Sequence, residues 1–211
     1  RNIFISGIGT GIGKTLISAI LSESLNADYW KPIQAGDLDN SDSIKVKNLL
    51  SNNNSKIYEE RYKLNTPASP HYAAELDNIE IKLNDFILPE SKNDYLIIEG
   101  AGGLLVPINN KDTIIDIIGH LNSECILISE NYLGSINHTL LSYEALKLRD
   151  VNVLGIIFNG ESNPATEEII LKKTKLDLIG NISKLDHINK ETIKKEANNI
   201  TANLKRILSG N

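Results

Sequence analysis

At 211 residues, 41% of them hydrophobic and 23% charged, the chain is long enough to bury a substantial core and has the composition of an ordinary soluble globular protein. A net charge of −5 excludes a global attraction to nucleic acid or to an anionic membrane surface. No apolar run is long enough to span a bilayer and no signal peptide is visible; the single cysteine, Cys125, precludes an internal disulfide. One domain over residues 1–211 in a reducing, cytoplasmic setting is the expectation.

Residues 2–21 carry the strongest local signal. Ile3, Phe4 and Ile5 read as a buried strand, glycines follow at 7, 9, 11 and 13, and then come Lys14 and Thr15. Leu16, Ile17, Ile20 and Leu21 recur at helical spacing. Strand, glycine loop, Lys-Thr and helix is the order of a phosphate-binding loop, whose backbone N–H groups and helix N-terminus face the anion. In such a loop Lys14 reaches the terminal phosphates and the Thr15 hydroxyl serves magnesium. Ile8 stands where the strict pattern has glycine, so the loop is a variant.

Further along, residues 28–33 read as a second strand stopped near Pro32, residues 34–40 as a loop, and residues 41–50 as a helix capped by Asn40 or Ser41. Residues 51–55 form a polar tip. Ser69-Pro70 opens a helix, and residues 79–88 are expected to be helical up to Pro89. Residues 94–99 are a buried strand leading into the glycine-rich residues 100–103. Then follow a helix at 113–121, a strand at 124–129, a helix at 135–148, a strand at 151–158, a helix at 167–173, a short strand at 176–180 and a closing helix at 191–208. This alternation predicts an α/β chain of the P-loop NTPase-like class, with a mostly parallel sheet and helices on both faces.

Ligands of such sheets bind beyond the carboxyl ends of the strands. Glu99 ends one strand before a glycine loop, a place where a carboxylate can hold magnesium facing phosphates, or simply be solvated. Asp42, just inside a helix start, either joins it or only offsets the helix dipole. Lys31 is either an edge residue or a cation aimed at the site. Asn159 offers a donor and an acceptor to a purine edge, or forms a turn. His71 and His138, in first helical turns without acid or cysteine partners at triad spacing, read as structural, and Cys125 reads as core.

Several segments together resemble the dethiobiotin synthetases, in that family's order and over most of the chain: residues 7–15 (GIGTGIGKT), 30–36 (WKPIQAG), 40–42 (NSD), 67–71 (PASPH), 99–103 (EGAGG), 133–138 (LGSINH) and Asn159. The resemblance implies ATP- and Mg2+-dependent closure of a ureido ring on 7,8-diaminopelargonic acid with CO2 or bicarbonate. It implies Thr15, Asp42 and Glu99 as magnesium ligands, with Thr10, Lys14 and Lys31 at the reacting groups. Nucleotide contacts would come from Gly11, Ile12, Gly13, Leu16, Gly100, Ala101, Gly102, Asn159 and Gly160, with Ser183, Lys184 and Leu185 closing over the base. Lys31 and Ala35 would meet the substrate, and Gly134, Ser135, Ile136 and Asn137 would hold its carboxylate from a neighbouring subunit of a homodimer.

Three places depart from the family, one being residues 180–183, which lack the proline that often follows Ile182. Ala35 stands where a hydroxyl is frequent, and Gly11 replaces an acid found in some members. An amidoligase core of the cobyrinic-acid type would need a glutaminase domain for which the chain has no room. A partition-type ATPase would carry a second lysine in the glycine loop, and positions 7–13 hold none.

Overall fold

The computed structural model describes residues 1–210. Nine strands and seven α-helices alternate along them. In chain order they are β1 (Asn2–Gly7), α1 (Lys14–Leu25), β2 (Asp28–Trp30), β3 (Ile33–Ala35), α2 (Asp42–Leu49), β4 (Ile57–Tyr58), β5 (Tyr62–Leu64), α3 (Pro70–Leu76), β6 (Leu96–Gly103), α4 (Ile114–His120), β7 (Glu124–Glu130), α5 (Ser135–Leu148), β8 (Val153–Asn159), α6 (Pro164–Thr174), β9 (Leu178–Ile182) and α7 (Lys190–Ser209). Seven strands form one parallel sheet in the order β4-β2-β6-β1-β7-β8-β9, and β3 pairs with β5 in a separate parallel ribbon.

Strand alternation divides the core in two. Phe4, Trp30, Ile98 and Leu127 face one side of the sheet, packed with Ile114 and Ile118 of α4, Leu146 of α5 and Ile170 of α6. Ile3, Ile5, Tyr29, Ile97 and Ile126 face the other, packed with Ile17 and Ile20 of α1 and Ile193 and Ile200 of α7. Both faces of a parallel sheet must be covered, because its crossovers lay helices on each. β1 lies between β6 and β7, so the chain winds in opposite directions from it and a crevice opens at their carboxyl ends. The phosphate-loop candidate and Glu99 both lie there.

The structure departs from the sequence reading in three places, the first two of them at this crevice. The strand expected over 28–33 breaks at Lys31–Pro32. Proline donates no hydrogen bond, so the chain leaves the large sheet and β3 starts the ribbon, while the Pro32 carbonyl accepts from both Arg61 and Tyr62 N–H. Residues 100–103 remain in β6 rather than forming a loop, with Gly103 in register with Gly7. Residues 79–88 are not an α-helix: a single 3-10 turn, Leu83–Asp85, is all that forms. Backbone groups that a helix needs are engaged elsewhere, since Lys82 N–H donates to the Tyr62 hydroxyl and the Ile81 carbonyl accepts from Asn109. The strands β4 and β5 were absent from the sequence reading. Among the described residues, no helix is long and apolar enough to cross a membrane.

Candidate active site

The local chain geometry of the glycine loop follows from its residues. Gly11 and Gly13 have φ of 79° and 87°, and a Cβ on Gly13 would lie 2.3 Å from the Asn159 side-chain nitrogen. That nitrogen donates to the Ile12 carbonyl at 2.9 Å, tying the end of β8 to the loop. Ile8 donates its N–H to Ile128 of β7 at 3.1 Å, so the residue replacing the pattern's first glycine is itself strand-bonded. No side chain caps α1; its first N–H groups are left to the loop's interior.

The Lys14 ammonium folds over the loop and donates to the Gly9 carbonyl at 2.8 Å. Burial lowers its pKa to about 8, against the opposing pull of the Glu99 carboxylate. Next to it lies a compact ionic cluster. Glu99 is 1% exposed, and three donors converge on its carboxylate: Thr15 Oγ1 at 2.9 Å and Lys31 Nζ at 2.9 Å on Oε1, and the Tyr29 hydroxyl at 2.8 Å on Oε2. Lys31 also pairs with Asp42 Oδ2 at 2.6 Å. Burial alone would push Lys31 down, but Glu99 and Asp42 outweigh it and hold its pKa above the ordinary value. Burial would raise Asp42, but Lys31 and Lys45 together hold it below the usual carboxylate range. Burial, reinforced by Glu99, keeps Tyr29 protonated far above the usual tyrosine range.

These groups open on a cavity of about 650 Å³. One wall is the large sheet's loop side, from Thr10, Gly11, Gly13, Lys14 and Thr15 to Lys31, Glu99, Ala101 and Gly102. The other wall comes from the ribbon and its neighbouring loops, with Ile33, Gln34 and Ala35 of β3, residues 67–70 and Val106. Gln34 ties the ribbon to the start of α2: its Oε1 accepts the Asp42 N–H at 3.2 Å and its Nε2 donates to the Gly36 carbonyl.

The oxygen set suits a hard divalent cation. Oxygens of Glu99 and Asp42 close on a single cation, the Lys31 ammonium, and the Thr15 hydroxyl bonds the same Glu99 oxygen. Among the described residues there is no group of three or more His, Cys, Asp or Glu fit to hold a metal by itself. One or two carboxylates and a hydroxyl, completed by phosphate oxygens and water, is the donor set magnesium takes in nucleotide sites.

The remaining sequence candidates lie outside this cluster. Leu16 is half-buried and packs on the α1 side of the core. A Cβ on Gly100 would strike Phe4 and Ile114, so Gly100 serves close packing. Gly160, with φ of 100°, sits beside Glu130. Ser183 and Lys184 are exposed and Leu185 half-buried, in the loop after β9, whose Ile182 is in register with Asn159. Gly134, Ser135, Ile136 and Asn137 open α5 and do not line the cavity with Lys31; Ser135 is buried, and Leu133 just before is fully exposed. His71 is exposed, His138 lies 2.8 Å from the Tyr132 hydroxyl, and the buried Cys125 thiol is pushed up to about 12.

The sequence reading missed Tyr29 and Gln34. Nothing in its own strand points Tyr29 to Glu99; the register that brings them together, Tyr29 opposite Ile97, belongs to the sheet.

A family profile described as an AAA domain matches residues 1–192. The ATP-dependent dethiobiotin synthetase of Christiangramia forsetii is 51% identical over 197 residues, covering 93% of this chain and 94% of that protein. Those of Cytophaga hutchinsonii and Chlamydia pneumoniae are 47% and 44% identical, with 92% of this chain covered in each case and 93% and 86% of theirs. Among solved structures, the Pyrococcus furiosus cell division ATPase MinD superposes with a TM-score of 0.63 at 16% identity, covering 96% of this chain and 98% of that one. A Borrelia burgdorferi plasmid partition protein gives 0.58 at 16%, covering 98% of each. These structural likenesses show the P-loop NTPase-like fold. The sequence relationships, spanning nearly the whole of both chains, show more: this chain belongs to the family of ATP-dependent dethiobiotin synthetases.

Proposed function

We propose that the protein is a ligase that carboxylates 7,8-diaminopelargonic acid with CO2 and closes the ureido ring of dethiobiotin, converting ATP to ADP and phosphate. The observation that carries this reading is the convergence of Lys31, Thr15, Asp42 and Glu99 beside a phosphate loop, in one cavity whose far wall is a separate ribbon. A triphosphate and an anionic second substrate need cations between them, and the cavity has Lys14 and Lys31 on the side where they would meet.

In this reading one amine adds to CO2 and loses a proton, giving a carbamate. A carbamate oxygen attacks the terminal phosphorus of ATP, and the bond to ADP breaks as a carbamic-phosphoric anhydride forms. The second amine then attacks the carbamoyl carbon and phosphate leaves with the bonding pair. Thr10 and Lys31 hold the carbamate and the phosphoryl oxygens, and Lys14 leaves the Gly9 carbonyl for the nucleotide's terminal phosphates. Thr15, Asp42 and Glu99 hold Mg2+, which when bound neutralises phosphate charge and screens the attack. Backbone N–H groups of residues 11–16 and 100–102 surround the phosphates. Asn159 and Gly160 face the base and the loop of Ser183, Lys184 and Leu185 covers it. Ala35 lines the substrate wall with no hydroxyl to offer. Gly134, Ser135, Ile136 and Asn137, at an uncapped helix N-terminus, hold the substrate carboxylate for the partner subunit of a homodimer. Residues 1–211 act as one catalytic domain in the cytoplasm, with neither nucleic acid nor membrane as partner.

The test is product analysis by mass spectrometry with protein, Mg-ATP, bicarbonate and the diamine, each omitted in turn. A dethiobiotin mass that requires all of them, alongside ADP, is expected. ADP release indifferent to the diamine, with no new product, would overturn the reading in favour of a nucleotide-switched ATPase.

A further inference from the structure

Glu99 has two carboxylate oxygens, and the chain treats them differently. Oε1 faces the cavity and takes Thr15 and Lys31; Oε2 faces the core and takes only the Tyr29 hydroxyl. The fold explains why Tyr29 reaches it. Tyr29 is in register with Ile97 of the neighbouring strand β6, and Ile97 and Glu99 are two residues apart on one face. The phenol therefore runs beneath the sheet surface toward the next outward-facing residue of that face. It is fully buried among Ile3, Ile5 and Ile97, where its ring cannot swing away. The Tyr29 hydroxyl is shielded from bulk solvent and meets the carboxylate oxygen opposite the one that Thr15 and Lys31 hold.

We infer that Tyr29 is a positioning residue: by holding Glu99 Oε2 from behind, its hydroxyl fixes the carboxylate plane so that Oε1 alone is presented to the magnesium and phosphate side of the cavity. The inference rests on the reading of Glu99 as a magnesium ligand and adds a residue that touches neither metal nor substrate. A carboxylate hinged at χ3 and held on one side only can rotate both oxygens toward a cation. Held at both oxygens, it has one orientation, which is how hydrogen-bond partners behind a ligating group tune metal affinity. Phenylalanine at this position keeps the ring in the core and removes only the hydroxyl.

The experiment compares wild type, Tyr29→Phe, Glu99→Gln and the double variant. Mn2+ binding in the presence of ADP is measured by electron paramagnetic resonance, and ADP binding is measured separately in EDTA. Tyr29→Phe is expected to weaken Mn2+ binding by about 10- to 100-fold. Metal-free ADP affinity and the KM for the diamine should not move, and turnover should recover toward wild type at raised Mg2+. In the Glu99→Gln background the Tyr29 change should have no further effect on Mn2+, because the two act through one group. Unchanged Mn2+ affinity in a folded Tyr29→Phe protein overturns the inference. So does a Tyr29→Phe protein that does not fold, which would assign the hydroxyl to stability instead. Loss of Mn2+ binding in Tyr29→Phe but not in Glu99→Gln overturns the underlying reading of Glu99. Absence of dethiobiotin from the wild-type assay is a distinct failure, that of the proposed reaction.

Discussion

Lys31 is the residue on which most of the site's electrostatics turn. Its ammonium is 5% exposed and lies between two carboxylates, at 2.6 Å from Asp42 and 2.9 Å from Glu99. Removing one partner of such a buried group leaves the others uncompensated. Lys31→Gln is expected to cut turnover by about 10²- to 10³-fold, the effect typical of losing one charge-stabilising donor. It should also lower thermal stability by roughly 6–12 °C, from a loss of about 3 kcal/mol, with part of that loss restored by Mg2+ as the metal replaces the ammonium. Thermal melts with and without Mg2+, alongside turnover, check both halves; a full loss of activity without any Mg2+ effect on the melt would argue against a shared cation position. Lys14 gives a second expectation. Its pKa of about 8 in the ligand-free protein means that near pH 8 only half the molecules carry the charge. A triphosphate favours the ammonium, so binding at pH 8 should take up about half a proton from buffer, and none near pH 6. Calorimetric titrations in two buffers of different ionisation enthalpy measure this directly.

At the scale of elements, the helix N-termini sort by how they are closed. Ser41 caps α2, Asn163 caps α6 and Asn189 caps α7 with side-chain oxygens, and in α4 Asp116 accepts from Thr113 N–H. α1 and α5 begin after glycines in left-handed conformations, with no side-chain cap. α3 too lacks a side-chain cap, but Pro70 in its first turn has no N–H to satisfy; on the proposed function the N–H groups that open α1 and α5 serve the phosphates and the substrate carboxylate. The distinction is testable at Asn189, which accepts from both Glu191 and Thr192 N–H and follows, rather than belongs to, the loop of residues 183–185 proposed to cover the base. Asn189→Ala should cost about 1 kcal/mol, a fall of roughly 2–4 °C in Tm, and leave kcat unchanged. A melt together with a rate measurement decides it, since a change in kcat would link α7 to the site.

For the whole molecule, the proposed pairing of chains gathers the exposed apolar residues near the start of α5. Leu133 is 103% exposed, with Tyr132, Ile136 and Leu141 also exposed on the same stretch. A contiguous exposed apolar group of this kind marks an interaction surface. Leu133→Glu is expected to shift sedimentation from two chains to one without weakening ATP binding, while raising the KM for the diamine. A variant that sediments as the wild type would place the interface elsewhere.

Much of this architecture was legible in sequence because strands buried on both faces read as continuous apolar runs, and helices that bury one face keep their apolar spacing. β6, β7, β8 and the long helices followed from that, the phosphate loop from its glycines and Lys14-Thr15, and Glu99 and Lys31 from their places at the carboxyl ends of predicted strands. Residues 79–88 misled because Ile81 and Phe86 are apolar for a tertiary reason: both are buried under tethers from Tyr62 and Asn109. β4 and β5 are too short to show a period. Tyr29 looked like one more core residue, since nothing in a single strand reveals which neighbouring strand supplies a carboxylate.

The break at Pro32 divides more than a strand. It gives the cavity two walls held up by different frameworks, one built into the seven-stranded sheet and one into the β3-β5 ribbon, with Asp42 of α2 between them, paired to Lys31 and bonded through its N–H to Gln34. On the proposed function, the energy-supplying half and the shape-reading half are separate modules with a common seam. On the same proposal, a redesign for a longer or shorter diamine would then fall on Ile33, Ala35, residues 67–70 and the carboxylate-holding residues 134–137, leaving the phosphate chemistry as inherited equipment.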